Sequence, residues 1–291
     1  MQVFSDAMPF FKGNLHCHTT VSDGARSPAE AIALYRSMGY DFLAITDHRK
    51  TTVPQSRLEA GMLVLSGIEL DYLLSSEVVH LVGFGMTENV ESRIRYEQGP
   101  QAGAACIRAC GGRVIAAHPH WSLNTAATLM AIRGVTAAEV FNSMSFARPD
   151  SSHILDVMAA RGAMLPFVAS DDTHAYAGEQ GMACTMVQAE ALTPEAILEA
   201  MDAGRFYASQ GPRIEQITLA DGMFTVRCSP AAHIYFHTNL PWTPGRIVNG
   251  ADLTEASYQT LPARGECFVR CQVIDAAGKS AWSNPLPLGT V

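Results

Sequence analysis

From Gly13 to about Ser170, short β-rich runs alternate with helical stretches, the pattern of a parallel β/α architecture. The strand candidates are Asn14 to Cys17, Phe42 to Thr46, Leu63 to Ser66, Val78 to Phe84, Arg113 to Ala117, Ala138 to Phe141 and Leu165 to Ala169, seven in all. The first helix is marked by Ser27 as N-cap, Pro28 at its first position, Glu30 completing a capping box and Gly39 as its stop. A second runs from Thr193, Pro194 and Glu195 to about Gly204, and Gln101 to Cys110 and Ser151 to Arg161 also read as helices.

After Gly204 the pattern changes to alternating apolar and polar residues in the runs Gln216 to Leu219, Phe224 to Cys228 and His233 to His237. These predict antiparallel strands separated by turns at Asp221-Gly222, Pro244-Gly245, Asn249-Gly250 and Ala277-Gly278. The expected division is a hydrolase unit over 1–211 and a small β-sandwich over 212–291, with no internal repeat.

Composition narrows the function classes. With 48% hydrophobic and 16% charged residues, the 291-residue chain can bury a sizeable core. A net charge of -8 argues against a general nucleic-acid-binding surface, although a small anionic substrate held by metal ions remains allowed. The N-terminal residues lack the basic and long apolar regions of a signal peptide, and no apolar run approaches a membrane span. The expectation is a soluble cytoplasmic protein. Seven cysteines with no C-x-x-C pair fit neither a disulfide framework nor a zinc knuckle, and Cys17 stands out between two histidines.

The ionisable residues fall on this strand map in a telling way. His16 and His18 end the first strand, Asp47 and His48 the second, and Glu69 follows the third. His80 lies within or just past the fourth, His118 ends the fifth, and Asp172 and His174 follow the seventh. In a parallel barrel the C-terminal strand ends converge on one mouth, so these residues would meet. Taken singly, His80 or His118 would read as a surface or satisfied core histidine. Six histidines following one pattern, while His120, His153, His233 and His237 do not, point to a metal site. Imidazole and carboxylate at this density suit zinc, manganese or iron rather than calcium.

The motifs His16-x-His18, Ser22-Asp23-Gly24, Thr46-Asp47-His48, Gly67-Ile68-Glu69, His80, His118-Pro119 and Asp171-Asp172-Thr173-His174 together resemble the PHP (polymerase and histidinol phosphatase) superfamily. The resemblance covers about residues 13 to 210 and implies a distorted (β/α)7 TIM-like barrel with two or three divalent metal ions. It implies that His16, His18 and Asp172 bind one metal, that Glu69 bridges to a second held by His80 and His118, and that Asp23, His48 and His174 hold a third. Asp47 then orients a ligand. The segments Phe206 to Pro212 and Ala281 to Pro285 are similar to the β-sandwich tail of the stand-alone, carbaryl-hydrolase-like branch.

Such a centre implies a metal-bridging hydroxide as nucleophile, with His174 or His48 as general acid where the third metal is absent. Arg49 and Lys50 follow His48 directly and could contact a phosphate, with Arg148 as a second candidate; the alternative is an ordinary solvated loop charge. His120 is placed near the pocket rim, and Trp121 forms an apolar wall there or simply packs. The leading expectation is a phosphoesterase acting on a small phosphomonoester or nucleotide. The rivals are a hydrolase of esters, carbamates or amides, and a non-catalytic metal-stabilised module. A proofreading nuclease with a stable nucleic-acid complex is disfavoured by the acidic charge.

Overall fold

The computed structural model of the chain describes residues 1–289. Strands β1 (Phe10–Asn14), β2 (Phe42–Ala44), β3 (Arg57–Glu59), β4 (Met62–Leu65), β5 (Gly67–Leu73), β6 (Val78–Phe84), β7 (Arg113–Ala116), β8 (Ala137–Asn142), β9 (Phe167–Ser170), β10 (Cys184–Gln188) and β11 (Phe206–Ser209) come first. They are followed by β12 (Ile214–Ala220), β13 (Met223–Thr238), β14 (Ile247–Gln259), β15 (Phe268–Ile274), β16 (Ser280–Trp282) and β17 (Leu286–Pro287). The α-helices are α1 (Pro28–Ser37), α2 (Gly99–Ala109), α3 (Ala126–Ala131), α4 (Ser152–Ala160) and α5 (Pro194–Asp202).

Local chemistry explains the best-marked helices. Ser27 and Glu30 close a reciprocal capping box on α1, with Ser27 N donating to Glu30 Oε2 at 2.8 Å, and Gly39 at φ 75° ends the turn beyond it. Thr193 caps α5 by accepting from Ala196 N. Among the described residues no helix is long and apolar enough to cross a membrane.

The fold is mixed α/β, built on a twelve-stranded and a five-stranded sheet. β5 to β9 form the smaller sheet, while β1, β2 and β4 lie in the larger one. The two sheets touch at parallel bridges, Cys17 with Thr173 and His48 with Glu69. Side chains from both enclose one core, with Phe42, Leu63 and Leu65 on one side, Val82, Ile115 and Val168 on the other, and Ile197 of α5 closing it. Burying each large apolar side chain contributes about 1.5–3 kcal/mol. Gly13 is required here, since a β-carbon on it would sit 2.0 Å from the Phe42 ring.

Several sequence expectations are corrected. β5 was not foreseen, and Glu69 lies inside it rather than after a strand. The chain can turn from β4 into β5 because Gly67 passes so close to Ile45 that a β-carbon would lie 2.4 Å from its carbonyl oxygen. β5, β6 and β7 pair antiparallel rather than parallel, because β5 and β6 form a hairpin and β7 then lies antiparallel to β6. The first strand ends at Asn14, so His16, Cys17 and His18 lie just beyond it; the Asn14 side chain donates to His16 O at 2.9 Å and accepts from Asp171 N at 3.0 Å. Asn249 and Gly250 lie within β14 instead of forming a turn, as Asn249 pairs across the strand with His233.

The C-terminal strands pack a core of their own that includes Phe224, Val226, Ile234, Phe236, Tyr258 and Val273. They continue the larger sheet, because β16 pairs with both β11 and β15. A further tie is the ion pair between Arg270, fully buried on β15, and Asp156 on α4, with two contacts of 2.6 Å. His237 lies 3.8 Å from Asp156, and burial together with the Arg270 charge pushes its pKa down to about 3. It is therefore neutral in the fold but protonated in the unfolded chain below about pH 6.5. The unfolded state then binds the extra proton, so His237 lowers stability as pH falls from about 6.5 toward 3, at up to about 1.4 kcal/mol per pH unit. Urea unfolding of His237→Gln between pH 6.5 and 4.5 is expected to show a shallower loss than wild type; equal slopes would refute the assignment.

Candidate metal centre

The ligand-type residues sit where strands end or pair. His16 and His18 follow β1, His48 follows β2, Glu69 lies in β5, His80 in β6, His118 follows β7, and Asp172 and His174 follow β9. Asp23 lies in the loop before α1. All nine come together in three adjoining groups: His16, His18, Glu69 and Asp172; Glu69, His80 and His118; and His18, Asp23, His48 and His174. Glu69 and His18 each belong to two groups.

The first group is the tightest and is fully buried. His16 Nε2 and His18 Nε2 lie 3.2 Å apart, and each approaches Glu69 Oε2 and Asp172 Oδ1 at 3.0–3.2 Å. Zinc-type bonds of about 2.0–2.2 Å in a tetrahedron would place donor atoms about 3.3–3.6 Å apart, so a small outward shift of the donors fits the spacing to such an ion. Glu69 turns its other oxygen to the second group, with Oε1 2.8 Å from His80 Nδ1 and 3.4 Å from His118 Nε2. The third group is looser, with Asp23 Oδ2 3.8 Å from His48 Nε2 and 3.6 Å from His174 Nε2. Asp172 Oδ1 and His48 Nδ1 are buried without a hydrogen-bond partner, an arrangement a cation would satisfy.

The electrostatics agree with that fit. Burial alone would lower the pKa values of His16 and His18, but the carboxylates around them prevail and hold both well above the ordinary value. Burial would raise Glu69, yet the surrounding histidines hold it well below the carboxylate range, and Asp172 is lowered in the same way. His48 moves in the opposite direction, because its burial outweighs the pull of Glu69. Nitrogen and oxygen donors this close, with this much charge compensation, form a site built for positive charge.

A second layer aims the ligands. Glu139, buried in β8, places Oε1 2.9 Å from His16 Nδ1, while its Oε2 accepts from His118 N at 2.7 Å and Asn142 Nδ2 at 2.8 Å. Asn142 also donates to Asp172 Oδ2 at 3.2 Å. His118 Nδ1 is 2.8 Å from Ser122 Oγ, and His174 Nδ1 donates to Asp172 O at 2.7 Å. Asp47 accepts from Thr19 and from Ser22 Oγ, which itself lies 3.4 Å from His18 Nδ1. His118 at φ 31° and Asp172 at φ 54° adopt a backbone conformation that costs an L-residue about 1–3 kcal/mol, strain held in place by these contacts.

Glu139 and Asn142 escaped the sequence reading; the one available signal was a carboxylate inside the otherwise apolar run Ala137 to Phe141. Glu139→Gln would present an amide NH2 either to His16 Nδ1 or to the two N–H donors at Oε2, and is expected to weaken metal affinity about 10–100-fold, measured by competition with a fluorescent chelator. An unchanged affinity would show that His16 needs no such support.

A cavity of about 230 Å³ opens over the cluster, lined by His48, Glu69, His80, His118, Asp172 and His174 together with Trp121, Met144, Ser145 and Phe146. Arg49 does not line it. Its guanidinium pairs with Asp71 and stacks over Tyr96 at 4.5 Å, because a φ of 58° turns the chain away from His48. Lys50 pairs with Glu91, His120 bonds to Asp150 O, and Arg148 is likewise outside the lining, whereas Trp121 forms part of the wall. Cys17 is buried, and burial pushes its thiol up to about 12, which leaves it no role as a nucleophile.

No family model matches the chain. Over 76 residues it is 32% identical to a 5'-3' exoribonuclease from Haemophilus influenzae, a match covering 25% of this chain and 28% of that protein. The chain thus spans little more than a quarter of that relative's length. An amidohydrolase from Chromobacterium violaceum aligns over 57% of this chain and 89% of its own at 17% identity, with a TM-score of 0.44. A two-domain protein from Bacteroides vulgatus, described as containing a PHP-like metal-dependent phosphoesterase, superposes over 97% of this chain and 96% of its own, with a TM-score of 0.56 and 16% identity. At that identity the likeness is one of fold, and the chain therefore has the PHP-like fold, with a histidine and carboxylate cluster of the kind that binds metal.

Proposed function

We propose that the chain is a metal-dependent phosphoesterase that hydrolyses a small phosphomonoester or nucleotide. The supporting observation is the run of three adjoining donor groups under one cavity. His16, His18, Glu69 and Asp172 would hold one divalent ion, Glu69, His80 and His118 a second, and Asp23, His48 and His174 a third. Zinc, manganese and iron suit these donors. Bound there, such ions supply Lewis acidity: they acidify water and offset the negative charge that develops on the attacked phosphoryl group.

The chain's own groups do the rest. Among the donor groups only Asp23, Glu69 and Asp172 are carboxylates, so three divalent ions would outweigh them together with Glu139 and Asp47 behind them, and the ions themselves would attract a phosphate dianion without any arginine or lysine. Where the third ion is absent, His174, with Nδ1 committed to Asp172 O, keeps Nε2 free to pass a proton to a departing oxygen; His48 is the second candidate on the same condition, and Arg49 is left out by its pairing with Asp71. Residues 1–211 carry this chemistry on a distorted barrel formed by the two sheets, and the strands from residue 212 onward form an appended β-sandwich.

A carboxyl-ester, carbamate or amide substrate is the second reading, favoured by the absence of cationic side chains among the lining residues. Manganese- or zinc-loaded protein tested against parallel phosphoester and carbonyl panels separates the two, with chelator and His16→Ala controls. Chelator-sensitive phosphate release is expected. Activity confined to the carbonyl panel would replace the first reading by the second.

A further inference from the structure

The part of the cavity wall formed by Trp121, Met144 and Phe146 is apolar and, in part, needlessly exposed. Trp121 is 47% exposed although it lines the cavity. Its indole packs edge-on against His118, with ring centres 5.0 Å apart at 80°, and against His80 at 6.0 Å and 61°. Phe146 is 73% exposed, and its backbone is held at φ 33°. A solvent-exposed phenyl ring in a strained conformation costs the free protein stability with no burial in return.

The turn before Phe146 is tied to the site itself. Ser145 N and Oγ both donate to Asn142 Oδ1, at 3.1 and 3.0 Å, and Met144 N donates to Asp171 O at 3.2 Å. The amide of the same Asn142 donates to Glu139 and to Asp172. The turn that presents Phe146 is thus anchored to the residues that set the metal ligands, which fixes the backbone that carries the ring relative to the donor groups.

From this we propose that the group esterified to the scissile phosphate is a single flat, uncharged aromatic ring, seated against Trp121 and Phe146. The proposal rests on the phosphoesterase reading and specifies its substrate class. Apart from the ligands, the polar groups among the lining side chains are the Ser145 hydroxyl, which donates to Asn142, and the neutral indole N–H of Trp121, so no charged side chain is left to pair with a charge on that group. Size agrees: a cavity of about 150 Å³ accommodates benzene, and about 230 Å³ leaves room for one ring and a phosphate.

The test compares benzyl phosphate with cyclohexylmethyl phosphate on the manganese-loaded full chain, since the two leaving groups are similar in size and basicity and differ in aromaticity. Ring-on-ring contact at two aromatic residues corresponds to a preference of about tenfold in kcat/KM for the benzyl ester. Trp121→Ala and Phe146→Ala should each cut the preference to about threefold or less, while Trp121→Tyr should retain most of it. Equal wild-type turnover of the two esters would overturn the aromatic seat and leave the phosphoesterase standing. If neither ester releases phosphate but benzyl acetate is cleaved faster than cyclohexylmethyl acetate, the seat stands and the phosphoesterase reading falls. If nothing is turned over, calorimetric titration with benzylphosphonate and cyclohexylmethylphosphonate decides: tighter binding of the aromatic ligand, lost in Trp121→Ala, supports the seat, and equal affinities overturn it.

Discussion

Glu69→Ala is expected to release bound divalent metal and to reduce hydrolysis by more than about a hundredfold, beyond the 10–100-fold typical of an outer-shell partner. No other residue of the site touches so many ligand groups. Oε2 lies 3.0–3.3 Å from His16, His18 and His48, and Oε1 lies 2.8–3.4 Å from His80 and His118. Without this carboxylate the buried histidines lose a compensating charge, and two donor groups lose a member. Metal content of dialysed protein, measured by elemental analysis beside activity, checks the expectation. Asp71→Asn is the control, since Asp71 pairs with Arg49 and belongs to none of the donor groups. Glu69→Ala protein that keeps full metal content and full activity would end the bridging role.

The largest stability effect is expected from Arg270→Ala, at about 3–5 kcal/mol. Arg270 is fully buried, donates through Nε and Nη2 to the two oxygens of Asp156, and packs over Phe167 at 5.3 Å. Truncating it removes the counter-charge of a largely buried carboxylate and opens a void between β15 and α4. At about 2–4 °C per kcal/mol for a chain of this size, the melting temperature should fall by about 6–20 °C. Nη1 has no partner even in the intact fold, so the pair is not optimal, and Arg270→Met together with Asp156→Leu should cost far less than Arg270→Ala alone. A fall of under 2 °C in Arg270→Ala would mean that the ion pair contributes little to joining the C-terminal strands to α4.

Legibility from sequence followed the range of the interactions. The capping box of α1 was readable because its donors and acceptors lie within three residues of one another. The position of β6 was readable because its apolar run is set by local pattern and coincides with Val78–Phe84. β5 was hidden because nothing local distinguishes Gly67 to Leu73 from a continuation of β4; the break depends on Gly67 meeting Ile45, a contact between residues 22 apart.

The site divides along the same line. Spacing and residue type alone made His16, His18, Glu69, His118, Asp172 and His174 candidates, because strand ends are local features and imidazole and carboxylate are the donors that such metals require. The sharing of Glu69 and His18 between groups, the support from Glu139 and Asn142, and the strained Phe146 beside Trp121 were decided only by the tertiary structure. So was the turning of Arg49 away from the cavity toward Asp71. The physical reason is that coordination, second-layer support and pocket shape depend on which distant backbone segments approach one another, whereas the pattern along the chain encodes only what each segment does by itself.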